Sequence, residues 1–166
     1  MEIAQAKPAE LIEILYLHKV CILDMNRKGQ KHWNYALPDI QHIVEDLREG
    51  YIYVAKDKGV CKGMVTLCEK EPEDYKQLNF STGKSSPLYL YRMVVHPTWQ
   101  GTGIAGQMVE FAQKLARGKG CNCIRLDIYQ PSDDARRLCE KQSFKEVGPF
   151  HKASQMIPFI CYEKHL

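Results

Sequence analysis

The 166-residue chain has no apolar run long enough to span a bilayer. Every hydrophobic stretch is broken by charge within a few residues, far short of the roughly 20 apolar residues a spanning helix needs, so no membrane association is expected. Residues Met1 to Pro8 lack a basic stretch followed by an apolar run, and no export is expected either. Net charge is also small: 23 Lys and Arg against 20 Asp and Glu leave +3, too little to argue for a nucleic-acid partner. No internal repeat, low-complexity tract or linker divides the sequence, which leads us to expect a single domain over residues 1–166. The seven cysteines, at positions 21, 61, 68, 121, 123, 139 and 161, are odd in number and scattered, so a disulfide framework is not expected. Reduced thiols in a cytoplasmic protein fit better. Cys121 and Cys123 stand one residue apart without a second pair, and no metal site is expected.

What is present reads as alternating elements. With 45% hydrophobic and 26% charged residues, the composition suits one domain with a sizeable core. Leu11, Ile12, Leu15, Val20, Ile22 and Met25 fall at roughly helical spacing between Pro8 and Gly29, which predicts a first helix. A second follows Pro38-Asp39, with Ile40, Ile43, Val44 and Leu47 on one face and Gly50 as a left-handed stop. The period then shortens. The β-rich runs Tyr51 to Ala55 and Val60 to Leu67 flank Asp57-Lys58-Gly59 and predict a hairpin. Residues 70–87 are polar and turn-rich, a long loop. Leu88 to His96 predicts a strand stopped by Pro97, Ile104 to about Gly118 a helix, and Cys123 to Tyr129 a strand parallel to the first. Ser132 is placed as an N-cap before a short helix carrying Ala135, Leu138 and Cys139. Phe144 to Gly148 and Met156 to Glu163 close the chain as strands, the proline of the second suggesting an edge or a bulge. The expected order is ααββ, loop, βαβα, ββ.

Chemistry is most legible at Gln100-Gly101-Thr102-Gly103-Ile104-Ala105-Gly106, where a strand gives way to a helix. Glycines there let backbone approach a ligand, consecutive N–H groups point outward, and the helix dipole adds partial positive charge, a combination suited to phosphate. A P-loop would need Lys-Ser or Lys-Thr after the second glycine, and Ile104-Ala105 stands there instead. Gly101 to Gly106 matches the dinucleotide pattern G-x-G-x-x-G formally. That reading, however, wants the unit near the start of a parallel sheet with an acid ending the second strand, whereas a hairpin precedes this turn and Asp127 sits inside the strand.

The run ending Val95-His96-Pro97, the segment Gln100-x-x-Gly103-x-Ala105, and Ala135-Arg136-Arg137-Leu138-Cys139-Glu140-Lys141-Gln142-Ser143-Phe144 about 30 residues later resemble the GNAT superfamily of acyl-CoA-dependent N-acyltransferases. The resemblance extends over nearly the whole chain, through the helix pair, the hairpin and the closing strand. It implies an α+β (mixed α/β) fold: a central mixed, mostly antiparallel sheet flanked by helices, with one parallel pair splayed around the cofactor. It implies transfer of an acetyl group from acetyl-CoA to a primary amine by direct attack on the thioester, without a metal. Met93, Val94 and Val95 would meet the pantetheine arm, and Gln100, Gly101, Thr102, Gly103, Ile104, Ala105 and Gly106 the pyrophosphate. Ser132, Ala135 and Arg136 belong to the second cofactor motif. The acceptor would be a small-molecule or peptide amine, and a homodimer is compatible with the family.

The resemblance assigns Val95 N–H to the oxyanion and a tyrosine to the proton taken by the departing thiolate. Here that tyrosine position is Cys139 and the preceding asparagine position is Ser132. A thiol with an ordinary pKa near 8.5 holds its proton at neutral pH but reaches less far than a phenol. Tyr129, at the end of the neighbouring strand, is a substitute candidate, and water is another. Glu69 and His96, at strand ends opening toward a cleft, are the candidate bases. The Arg27 to Tyr35 segment resembles the loop covering the acceptor cleft, with Trp33 and Tyr35 as flat walls and Tyr75 and Phe80 opposite them. The missing tyrosine keeps a second reading open, a non-catalytic acyl-CoA-binding sensor or interaction module. The whole charge surplus falls in residues 98–145, eight basic against five acidic, which makes Arg136, Arg137, Lys141, Lys114, Arg117 and Lys119 candidates for the coenzyme's phosphates.

Overall fold

The computed structural model describes residues 1–30, 32, 40–80, 85–152 and 158–166. Strands β1 (Glu2–Gln5), β2 (Ile52–Asp57), β3 (Val60–Cys68), β4 (Pro87–Val95), β5 (Cys123–Tyr129), β6 (Lys145–His151) and β7 (Pro158–His165) hydrogen-bond in the order β1-β2-β3-β4-β5-β7-β6. Helices α1 (Leu11–Arg27) and α2 (Ile40–Arg48) precede β2, α3 (Ile104–Gly118) joins β4 to β5, and α4 (Asp133–Lys141) joins β5 to β6. Strands β4 and β5 run parallel; β1–β2, β2–β3, β5–β7 and β6–β7 are antiparallel. This is the mixed, mostly antiparallel sheet that was expected. Among the described residues no helix is long and apolar enough to cross a membrane.

The chain forms two compact units, Met1–Leu67 with Arg92–Met108, and Cys68–Tyr91 with Val109–Leu166. In the first, Ile14, Leu17 and Cys21 line one face of α1 and bury against Ile43 and Leu47 of α2 and Ile52, Val54, Cys61, Met64 and Val94 of the strands. Lys58 and Gly59, with φ of 50° and 79°, make the two-residue hairpin turn whose left-handed backbone matches the strand twist. Gly63 is required by packing: a Cβ there would meet the Val94 carbonyl oxygen at 3.0 Å and the Met108 methyl at 3.1 Å. Strand β1 was not expected. Its four residues, Glu-Ile-Ala-Gln, are too short and polar to show an alternating pattern, and it forms by pairing Ile3 with Ala55.

The second unit is built on aromatic rings. Tyr75, Tyr89, Phe150 and Phe159 pack with Cys161, and Leu78, Phe80, Tyr91, Tyr129 and Val147 lie against them. Strand β7 is not the edge that its proline suggested. It lies between β5 and β6, and Pro158 stands at its first residue, a position proline tolerates in a strand. The edge is β6, which carries Pro149 and a register shift between Glu146 and Gly148.

Candidate active site

The glycine turn begins where β4 ends. The ladder to β5 runs from Pro87 opposite Cys123 to Leu90 opposite Leu126, while β4 continues to Val95. Arg92, with φ of 49°, breaks the regular strand, and its guanidinium pairs with the Asp46 carboxylate of α2. A left-handed non-glycine residue is uncommon and is held here by that charged contact. A short 3-10 turn, Pro97–Trp99, then leads to Gln100.

Gln100 ties the turn down at both ends. Its Nε2 donates to the Val95 carbonyl at 3.0 Å, and its Oε1 accepts from Lys28 Nζ at 2.9 Å. Gly101 and Gly103 adopt φ of 77° and 88°, and the space where a Cβ would sit is open at both. Thr102 Oγ1 donates to the Trp99 carbonyl at 2.6 Å. The first bond within α3 runs from Gln107 N–H to the Gly103 carbonyl, so the N–H groups of Ile104, Ala105 and Gly106 lie in the first turn, where no intrahelical partner exists. Left-handed glycines with open space beside them, first-turn amides and the positive end of a helix are the backbone features that suit an anion. Lys28 stands beside this turn, its ammonium shared with the Asp24 carboxylate at 2.7 Å. Sequence reasoning had placed Lys28 in the acceptor loop; its contact with Gln100, 72 residues away, leaves no local signal.

His96 caps the 3-10 turn. Its Nδ1 accepts from Thr98 N–H at 3.2 Å, so in the neutral ring the proton sits on Nε2 and the ring has no lone pair left for a base. The ring stacks on Trp99, 4.8 Å between centres, and both line a cavity of about 230 Å³ with Glu13, Tyr16 and Cys61. The Val95 carbonyl also accepts from the Cys21 thiol at 3.4 Å. Burial and the nearby Asp24 push that thiol up to about 12, so it keeps its proton.

The remaining candidates lie in the second unit. Glu69 is exposed and ion-paired with Lys119, 2.7 Å from Nζ to Oε1, so neither is idle as base or phosphate ligand. Tyr75 does not form an open wall. It is 1% exposed at the centre of the aromatic cluster, and its hydroxyl donates to Asp127 Oδ2 at 3.1 Å. Phe80 is half-buried against Tyr75, with the Arg125 guanidinium 3.5 Å from its ring centre. Cys139 is 2% exposed, and burial together with Glu140 pushes its thiol up to about 12. It holds a proton but is shut from solvent in the way a small core residue is. Tyr129 is half-buried at the end of β5, its ring 6.2 Å from Phe159. Ser132 caps α4 by accepting from Ala135 N–H at 3.4 Å, as expected of its position. Arg136 is held by the Gln130 carbonyl at 3.2 Å and lies 3.9 Å from Glu146, while Arg137 pairs with Asp134 at 3.6 Å on the surface. Trp33 and Tyr35, the expected walls of the acceptor cleft, lie outside the described residues. Among the described residues no three His, Cys, Asp or Glu side chains gather as metal ligands.

The sequence profile of the acetyltransferase (GNAT) family matches residues 18–144, and the chain belongs to that family. The Bacillus subtilis protein called uncharacterized N-acetyltransferase YesJ is 23% identical over 123 residues, which is 73% of this chain and 68% of that protein. A GNAT-family acetyltransferase from Streptococcus agalactiae superposes with a TM-score of 0.85 at 18% identity, covering 99% of this chain and 95% of the other. YncA from Salmonella typhimurium, whose structure holds its cofactor acetyl-CoA, superposes with a TM-score of 0.72 at 18% identity, covering 100% and 94%. The fold is theirs, and the chain is a member of the acetyltransferase (GNAT) family.

Proposed function

We propose that the protein moves an acetyl group from acetyl-CoA to a primary amine by direct attack on the thioester, and that residues 1–166 act as one catalytic domain. The observation that carries this reading is the backbone turn from Gln100 to Gly106. Gly101 and Gly103 are left-handed with open space before them, and the first-turn amides of α3 follow directly, an arrangement that suits phosphate oxygens. These amides and Lys28 suit a pyrophosphate. The backbone of β4 at Met93, Val94 and Val95, beyond the last residue paired with β5, suits the amide groups of a pantetheine arm.

The roles follow from what each group can do. The amine nitrogen attacks the thioester carbon, Val95 N–H receives the developing oxyanion, the carbon–sulfur bond breaks, and the thiolate takes a proton. Tyr129 is the donor in this reading, since it is half-buried at the end of its strand while Cys139 is enclosed. In this reading Glu69 stays paired with Lys119 and His96 Nδ1 with Thr98 N–H, and neither is assigned as the base. The attacking amine therefore loses its proton to water. All seven cysteines are free, which fits a reducing cytoplasm, and the chemistry needs no metal.

Titration calorimetry with acetyl-CoA tests the first half: binding in the micromolar range is expected, and none at high micromolar concentration overturns it. Release of free CoA across a panel of primary amines tests the second, with a rate that climbs with pH toward the pKa of the amine. A rate that levels off below the pKa of the amine, and does so no longer in His96→Ala, would restore His96 as the base.

A further inference from the structure

Asp127 is a carboxylate already occupied by an ammonium. Lys152 Nζ lies 2.9 Å from Asp127 Oδ1 and 4.3 Å from the centre of the Phe159 ring. A carboxylate beside an aromatic face is the pairing that recognises an alkylammonium, through charge on one side and the ring quadrupole on the other. The second oxygen, Oδ2, accepts from the Tyr75 hydroxyl at 3.1 Å. Tyr75 is fixed in the core among Tyr89, Phe150 and Phe159, and its burial raises its pKa well above the usual value, so it remains a donor. The floor of the site is thus rigid. The cation in it comes from a long side chain just past the end of β6, 29% exposed, whereas Asp127 is 12% exposed.

Position adds to this. Asp127 is the first residue of β5 beyond its ladder with β4, and Tyr129, two residues on, projects from the same strand face. Alternate residues of a strand stand about 7 Å apart, close to the ~6 Å between the nitrogens of an extended four-carbon diamine. We propose that Asp127 and the face of Phe159 bind a second, non-reacting ammonium of the acceptor, so that the substrate is a linear diamine or polyamine, and that Lys152 fills this subsite until the substrate displaces it. The inference rests on the acetyl-transfer reading for the word acceptor, but the subsite itself is a matter of binding.

Calorimetric titration with 1,4-diaminobutane and with 1-aminobutane, in the presence of CoA, separates the two questions. The diamine is expected to bind at least about tenfold more tightly than the monoamine. Asp127→Asn removes that difference, and Lys152→Met, which takes away the competing ammonium, tightens diamine binding several-fold. Equal affinity for the two amines overturns the proposal, as does a preference that survives in Asp127→Asn. If Asp127→Asn fails to fold, Lys152→Met decides, and unchanged or weaker diamine binding overturns it. Diamine-selective binding without CoA release from acetyl-CoA leaves the subsite standing and removes the transferase reading; acetylation of both amines with equal kcat/KM does the reverse.

Discussion

The two compact units handle charge in opposite ways. In the first, the proposed cofactor surface from Val95 to Gly106 is made of backbone, and the buried histidine of the unit is neutral: burial and the neighbouring Arg92 hold the His18 ring down at about 4. In the second, the subsite proposed above is made of side chains, and the buried basic residue is charged and paired. Arg125 and Glu163, 5% and 4% exposed, meet at 2.7 Å, and Arg125 also reaches Ser85 of the preceding loop. A backbone site tolerates almost any side chain that leaves its φ angles alone. A side-chain site fails when either partner is removed.

The largest effect is expected where the backbone site has no tolerance. Gly103→Glu forces a carboxylate-bearing residue into φ of 88° and points negative charge at the phosphate position. Left-handed backbone costs roughly 1–2 kcal/mol for an L-residue, and repulsion adds to it. Acetyl-CoA affinity should fall on the order of 10³-fold by calorimetry, with the circular dichroism spectrum unchanged, since the space at Gly103 is open. Retained affinity would show that the turn is only a connection. In the second unit the corresponding blow is Glu163→Gln, which leaves Arg125 buried without its carboxylate. Breaking a buried pair from one side costs about 3–5 kcal/mol, read by urea unfolding at neutral pH.

Acid should expose the first unit instead. A histidine with a folded pKa of about 4 and an ordinary value of 6.5 binds fewer protons folded than unfolded. Its contribution is present above about pH 6.5 and is lost as pH falls toward 4, amounting to roughly 3 kcal/mol. His18→Asn should flatten the urea-stability profile between those pH values relative to the parent. An identical slope in the variant would move the acid sensitivity elsewhere and dissolve the contrast between the two units.

The same contrast explains which features were legible in the sequence. Gly101, Gly103, the helix start and the hairpin turn at Lys58-Gly59 are dictated by φ angles and spacing within a few residues, and these carry a pattern. Ser132 as a cap was equally local. Tyr75 with Asp127, Arg125 with Glu163 and Lys152 with Asp127 join positions 52, 38 and 25 residues apart, and no periodicity announces such pairs. Tyr75 read as a loop aromatic because its neighbours are polar, yet the cluster of rings beneath it draws it inside. Strand β1 and the length of β6 escaped notice for a related reason: each lies at an edge, and only pairing with a neighbour makes it a strand.

The smallest pair of effects separates the two proton donors. Tyr129→Phe removes the hydroxyl from a half-buried ring whose packing against Phe159 persists, so stability should hold while kcat falls on the order of 10²-fold, the usual contribution of a positioned acid. Acetyl-CoA affinity should stay within about twofold, because the proposed cofactor turn is the backbone of Gln100 to Gly106. Cys139→Ala should behave conversely. Deleting a buried sulfur costs about 1 kcal/mol of stability, but turnover should remain within about twofold, since a thiol pushed up to about 12 in an enclosed position fills space. A kcat loss in Cys139→Ala that Cys139→Tyr recovers would hand the proton back to this position on α4. It would also make the second unit's contribution to chemistry a matter of that one helix face, with Tyr129 reduced to packing.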